Sequence, residues 1–268
     1  GPITAMAYYG DLLVIAMDGI GIALVNPHAE QDGGEVEISR LPWSARIHHL
    51  AISSDTLIAV SNNDMRAFAL SGNSITSGPG LSVAGEAVDI QPGKDGFVMI
   101  SDNELTIMDK ALNVLHRYSG VFSALTQTQD FTFALTTDGQ LHSFDAEFSH
   151  ASTSLNMPAE RLLTLPGYLV ALSAGGELSF VDIFTPRQPA VIGRYAMPFD
   201  GSVDKAFLSG GQIWTGDDQG LIVDLAPNAV TPRRRYENPH PQGNVGDIAL
   251  SNGRAYGAAG AYGALIAT

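Results

Sequence analysis

Two adjacent histidines, His48 and His49, are the first residues of this 268-residue chain whose types suggest chemistry. Paired imidazoles can hold a metal ion or relay a proton. They stand in the run IHHLAIS, which reads as a strand. Neighbouring side chains of a strand point to opposite faces, so the two should not share one ligand. His28, His116, His142, His150 and His240 lie on separate segments without ligand spacing. No metal site and no cofactor is expected. Cysteine is absent, which excludes a disulfide scaffold, a thiolate zinc site and a cysteine nucleophile. There is no HExxH, GxSxG, Walker or dinucleotide motif. GDDQG (residues 216–220) and SAGGE (residues 173–177) are hairpin turns rather than phosphate cradles, because neither opens a helix.

The charge is lopsided: 14 Lys and Arg against 28 Asp and Glu, a formal net charge of −14. An acidic surface repels phosphate, so nucleic acid is not an expected partner. Hydrophobic residues make up 45% and charged residues 16%, which suits a folded chain and argues against disorder. The apolar runs fall far short of the ~20 residues needed to cross a bilayer, so no membrane insertion is expected. Asp18, Asp64, Asp102, Asp138, Asp217 and Asp218 each occupy a short polar turn. Tight hairpins demand such residues, which is the simpler reading. The sharper one is an acidic ring attracting cations or a basic partner. Calcium needs several converging oxygens, and no DxDxDG-type loop is present. Arg233, Arg234 and Arg235 form the basic cluster, read as a charged edge strand that resists pairing or as an anchor for an acidic polymer. Trp43, in LPWSAR, is expected to be exposed beside Arg46, where it would suit a sugar or peptide. Trp214, in QIWTG, is expected in the core.

The elements that must position these residues repeat along the chain. ITAMAYYG-DLLVIAMDG-IGIALVN is followed by IHHLAISS-DTLIAVSNND-MRAFAL and AVDIQPGK-DGFVMISDN-ELTIMD. Four further copies follow, from FSALTQTQ, RLLTLPG, VDKAFLSGG and VGDIALSNG. An apolar anchor of the second strand recurs at Leu13, Leu57, Phe97, Phe131, Leu169, Ile213 and Ala255, spaced by 44, 40, 34, 38, 44 and 42 residues. That approaches the ~40–45 residues of a four-stranded propeller blade. The runs are short and rich in Val, Ile, Leu, Phe and Tyr, with Gly, Asn, Asp and Pro at their ends, as strands and turns require. LLVIAM and FVMI are apolar on both faces, as a sheet sandwiched between two others must be.

The expected fold is therefore all-β: a seven-bladed β-propeller of four-stranded antiparallel blades, in one domain spanning residues 1–268. Six blades are the alternative if one repeat is miscounted. Blade limits fall at about 4–46, 47–86, 87–121, 122–159, 160–202, 203–244 and 245–268. Fourth strands are expected at residues 35–41, 73–78, 114–119, 150–156, 190–197 and 233–238. The last blade is expected to have three strands, or to have lost its fourth by trimming.

First strands of a propeller line its channel. One column there reads Ala5, His49, Asp89, Ala124, Leu162, Lys205 and Asp247. His49 can pair with Asp89, and Lys205 with Asp247, since buried charges want partners. Such pairs serve structure first. The candidate ligand-binding residues are Trp43, Arg46, His49, Asp89, Arg161, Lys205 and Asp247, with no catalytic residue assigned.

The stretch from Leu178 to Tyr236 resembles the bacterial LVIVD repeat. The matching pieces are Phe180-Val181-Asp182, Pro189, Val191-Ile192-Gly193-Arg194-Tyr195 and Leu208-Ser209-Gly210, continued by Val223-Asp224, Val230-Thr231-Pro232 and Ala249 to Gly253. Blades five to seven match well, and blades two to four loosely. WD40-like propellers are the broader resemblance. This resemblance implies a propeller of a secreted or surface-exposed bacterial protein, extracellular, cell-surface or periplasmic, and carries no catalytic residues across. Gly1-Pro2 without Met looks like the remnant of a cleaved tag, so a targeting segment is expected to have been removed.

The expected function is non-enzymatic binding of a protein partner or a carbohydrate, on the rim over the channel, with flanking domains of a longer chain as further partners. One alternative is a polysaccharide lyase or hydrolase using His49, Asp89, Arg46 and Arg161 at the channel mouth. The other is a structural spacer within a larger protein.

Overall fold

The computed structural model describes residues 2–29, 36–62, 64–145, 147–173 and 177–195, and beyond them the backbone of the strands alone. Strands β1 (Ile3–Tyr9), β2 (Leu12–Met17), β3 (Gly21–Val25) and β4 (Glu37–Pro42) pair antiparallel in that order. The same order recurs in β5 (Ile47–Ser53), β6 (Thr56–Ser61), β7 (Asp64–Ser71) and β8 (Ser74–Ser82). It recurs again in β9 (Ala87–Pro92), β10 (Gly96–Ser101), β11 (Glu104–Asp109) and β12 (Val114–Ser119). The fourth sheet is β13 (Phe122–Gln127), β14 (Thr132–Thr136), β15 (Gln140–Phe144) and β16 (His150–Ser154). The fifth is β17 (Arg161–Leu165), β18 (Tyr168–Leu172), β19 (Glu177–Asp182) and β20 (Ala190–Ala196). The all-β, four-stranded, antiparallel expectation holds through these five sheets.

Farther along, the backbones of β21 (Lys205–Ser209), β22 (Gln212–Gly216), β23 (Leu221–Ala226) and β24 (Ala229–Arg235) pair in sequence order. So do those of β25 (Asp247–Ser251), β26 (Arg254–Ala258) and β27 (Ala264–Ala267). One expected outer strand is corrected. After β23 the chain turns back at once, with Leu225 opposite Val230 and Ala226 opposite Ala229, so the fourth strand is Ala229–Arg235 and not residues 233–238.

The cores lie between consecutive sheets, and strand alternation is the reason. In β6, Leu57 and Ala59 pack with Val14, Ile22 and Leu24 of the first sheet. Their neighbours Ile58 and Val60 pack with Phe97 and Met99 of the third sheet. In β10 the alternation repeats, with Val98 and Ile100 packing with Leu125 and Phe144 of the fourth. All six residues of β10 are buried, which only a sheet covered on both faces allows. Inner strands β1, β5, β9, β13 and β17 are neighbours in that order. Outer strands such as β12 are mostly exposed.

Four inner strands carry a bulge at the same place. The register skips Thr4, His48, Val88 and Ser123 as each strand pairs with its second-strand partner. A bulge inserts one residue and breaks the strict alternation of faces.

Candidate functional site

A cavity of about 330 Å³ opens where β1, β5 and β9 converge along the axis. Its polar lining is Tyr8, His48, His49, Asp89 and Gln91. The bulge corrects the expectation that His48 and His49 face opposite ways. His48 is the inserted residue, which breaks the alternation behind that expectation, and both residues border this cavity with their ring centroids 6.5 Å apart. Thr4 and Ser123 occupy the same bulge position; the Thr4 hydroxyl lies 3.4 Å from the partner-strand carbonyl of Ala16, and the Ser123 hydroxyl donates to the Ala159 carbonyl at 2.7 Å. His48 Nε2 is buried and makes no hydrogen bond.

His49 and Asp89 do occupy equivalent places on adjacent inner strands, opposite Val60 and Ile100. The Asp89 carboxylate is tied down on its own strand: Oδ1 accepts from the Ile90 amide at 2.7 Å, and Oδ2 from Gln91 Nε2 at 3.1 Å. Ala5, Ala124 and Leu162 fill the same column on the other described inner strands and are buried and apolar. Chemical character at this level therefore comes from β5 and β9 among the described residues. Lys205 and Asp247 open β21 and β25, but their side chains lie outside the described residues.

The remaining candidates do not line this cavity. Trp43 is corrected most. It is 7% exposed, packed between the first two sheets with Phe68 at 5.9 Å. The cation against it is Arg66, 4.8 Å above the ring, and not Arg46. Sequence proximity favoured Arg46, whereas the hairpin between β6 and β7 brings Arg66 back over the indole. Arg46 is mostly exposed and 4.0 Å from Asp18. Arg161 donates to the Glu160 carbonyl at 2.7 Å.

Asp64 and Asp138 act within their own turns, as hairpins demand, whereas Asp102 also reaches the segment entering its blade. Asp64 pairs with Arg66 at 3.0 Å. Asp102 accepts from the Glu86 amide and from Asn103 Nδ2. Asp138 accepts from the Thr136 hydroxyl, which holds its carboxyl below the usual range. Asp217 and Asp218 lie outside the described residues. Among the described residues no group of three His, Asp or Glu side chains is placed to hold a metal ion. No helix among them is long and apolar enough to cross a membrane.

Sequence spacing missed a second gathering of titratable rings. His142 and His150 lie 6.1 Å apart on one face of the fourth sheet, stacked along Phe144, with Tyr118 of the third sheet edge-on to His150. Antiparallel pairing of β15 with β16 sets Phe144 opposite His150, which makes His142 its diagonal neighbour. Burial holds the His142 imidazole below its ordinary value, and His150 adds to this, while Asp138 opposes it. Burial, with Asp145 nearby, pushes the Tyr118 hydroxyl up.

No protein-family model matches the chain. No curated protein matches it either. Solved structures do. The β-propeller domain of Cps50 (Swd1) from Myceliophteria thermophila superposes with a TM-score of 0.76 at 14% identity, covering 96% of this chain and 92% of that one. The computationally designed Ika8 protein superposes with a TM-score of 0.67 at 13% identity, covering 98% and 82%. At such identities the likeness concerns the fold alone. The fold is a β-propeller, and each of the five sheets of the described residues is one blade.

Proposed function

We propose that this chain is a non-enzymatic binding propeller, whose channel takes a protein partner's side chain or a carbohydrate. The observation that carries the reading is the three-blade cavity, where His48, His49, Asp89 and Gln91 meet. A fixed carboxylate with the His49 imidazole and the Gln91 carboxamide around one cavity offers both acceptors and donors, as hydroxyl-rich or peptide ligands require. The polysaccharide-enzyme reading needs Arg46 and Arg161 at the same place, and neither lines the cavity. Propellers often serve as interaction scaffolds, which agrees with this reading as analogy.

The ring in this proposal is a single domain with seven blades, the last three-stranded. Two features support that count. The strands from Lys205 to Ala267 pair as one set of four and one of three, and β25 lies beside β1, where a ring would close. The resemblance of blades five to seven to the LVIVD repeat supports a secreted, periplasmic or cell-surface bacterial origin.

A glycan array tests the reading, together with a panel of acidic polysaccharides assayed for turnover. Binding lost in His49→Ala and Asp89→Asn, without turnover, is the expected result. Turnover abolished by His49→Ala would replace the binding reading with the enzymatic one. Binding that survives both substitutions would move the site off the channel.

A further inference from the structure

A second depression, of about 190 Å³, lies between the third and fourth blades, on the opposite rim from the turn aspartates. One lip is the turn from Gly93 to Gly96, and the other is the turn from Thr128 to Phe131. The floor is apolar, from Val98, Ile107 and Phe144, and the outer end is Leu115, which is 50% exposed. An exposed leucine alone needs no explanation, but this one continues a buried apolar surface outward.

At the channel side stands Gln127. Its carboxamide lies against Gly93 of the neighbouring blade, and its Nε2 is buried with no hydrogen-bond partner. The outer wall is held in place beforehand. Asp145 Oδ1 accepts from the amides of Glu147 (3.0 Å) and Ser149 (2.9 Å), and the Phe148 carbonyl accepts from the Tyr118 hydroxyl at 2.8 Å. Phe148 sits at φ 60, in the left-handed region a phenylalanine rarely adopts, with its ring 4.1 Å from His116. Asp95 and Asp130 are exposed, one on each lip, with Lys94 beside Asp95. Asp145 is already engaged by Arg187.

We propose that this inter-blade cleft docks a short peptide segment of a protein partner, one that carries a large apolar side chain next to a lysine or arginine. The apolar side chain fills the floor against Leu115 and Phe144, and the cation meets Asp95 or Asp130. A walled, preformed cleft lowers the ordering cost of binding. This site is separate from the channel and does not depend on it.

The test is selection of random nine-residue peptides displayed on phage against the full chain, followed by fluorescence anisotropy with the enriched peptides. Enriched sequences are expected to place a large apolar residue beside Lys or Arg. Leu115→Glu should weaken them about tenfold or more, a loss of about 1.4 kcal/mol. Leu115 is already half exposed, and an unchanged melting temperature will show that this variant folds. The double variant Asp95→Asn, Asp130→Asn should weaken binding and flatten its salt dependence. His49→Ala should leave it unchanged. Absence of enrichment, enrichment of acidic sequences, or binding indifferent to Leu115→Glu would overturn the proposal. Loss on His49→Ala would do so too, by returning the peptide to the channel.

Discussion

Aspartate or asparagine recurs where the third strand of a blade ends, and its carboxyl or carboxamide explains why. Asn26 accepts from the His28 amide, Asp109 from Ala111 and Asn113, Asp145 from Glu147 and Ser149, and Asp182 from Phe184. A short acceptor bonded to an amide two residues onward turns the chain without help from another strand. The Val-Asp ending legible in the sequence is this turn. Asn113, through its side chain and its amide, holds the Asp109 carboxyl below the usual carboxylate range. Asn113→Ala should raise the Asp109 pKa in a carbon-detected NMR titration. Asp109→Ala should speed hydrogen exchange at the Ala111 and Asn113 amides. His142 gives a second prediction at this scale. The folded chain binds its proton less readily than the unfolded chain, whose histidines titrate near ~6.5. Stability is therefore unaffected by this group above that pH and falls as the pH drops below it. Urea midpoints at pH 7.5 and 5.5 should differ less in His142→Phe than in the parent chain.

At the scale of the element, tight pairing sets which residues are tolerated. Gly96 faces Asp109 across β10 and β11, and a Cβ there would stand 2.0 Å from the Met108 carbonyl oxygen. Gly10 has φ +59 with open space around it. Gly96→Ala forces strands apart and should cost about 1–3 kcal/mol. Gly10→Ala meets only the left-handed backbone penalty, about 1–2 kcal/mol. Urea denaturation separates them further. The Gly96 substitution should also expose β10 and β11 to hydrogen exchange, whereas the Gly10 substitution should act only at its turn. A neutral Gly96→Ala would contradict the pairing of these strands. The inner-strand bulge belongs to this scale as well. Strand periodicity in IHHLAIS predicts divided imidazoles, and no residue type in that run announces the insertion.

For the whole molecule, stability resides between blades. Trp43 and Phe68 join the first and second blades, and Ser123 of the fourth donates to the Ala159 carbonyl at the entrance to the fifth, at 2.7 Å. Thr126 and Thr164 share a hydrogen bond of 2.7 Å across the same seam. A blade with both faces apolar has no stable existence apart from its neighbours. Trp43→Ala should cost about 3–5 kcal/mol by leaving a cavity in that seam. Amide exchange should rise in the first and second blades together. A rise confined to the segment around residue 43 would mean that the seam carries little of the stability.

The sequence by itself determined the strands of the five described sheets and their order within each, because alternation and turn chemistry are local properties of adjacent residues. It also placed His49 and Asp89 on neighbouring inner strands, since equivalent positions in successive repeats must face one axis. Only the tertiary structure decided that His48 joins them, that Trp43 is covered by Arg66 rather than set beside Arg46, and that His142 meets His150. Each of these depends on a register shift or on a cross-strand partner remote in the chain. Spacing along a sequence carries no information about which residue a hairpin will lay across another, or where a bulge will turn one side chain to join its neighbour.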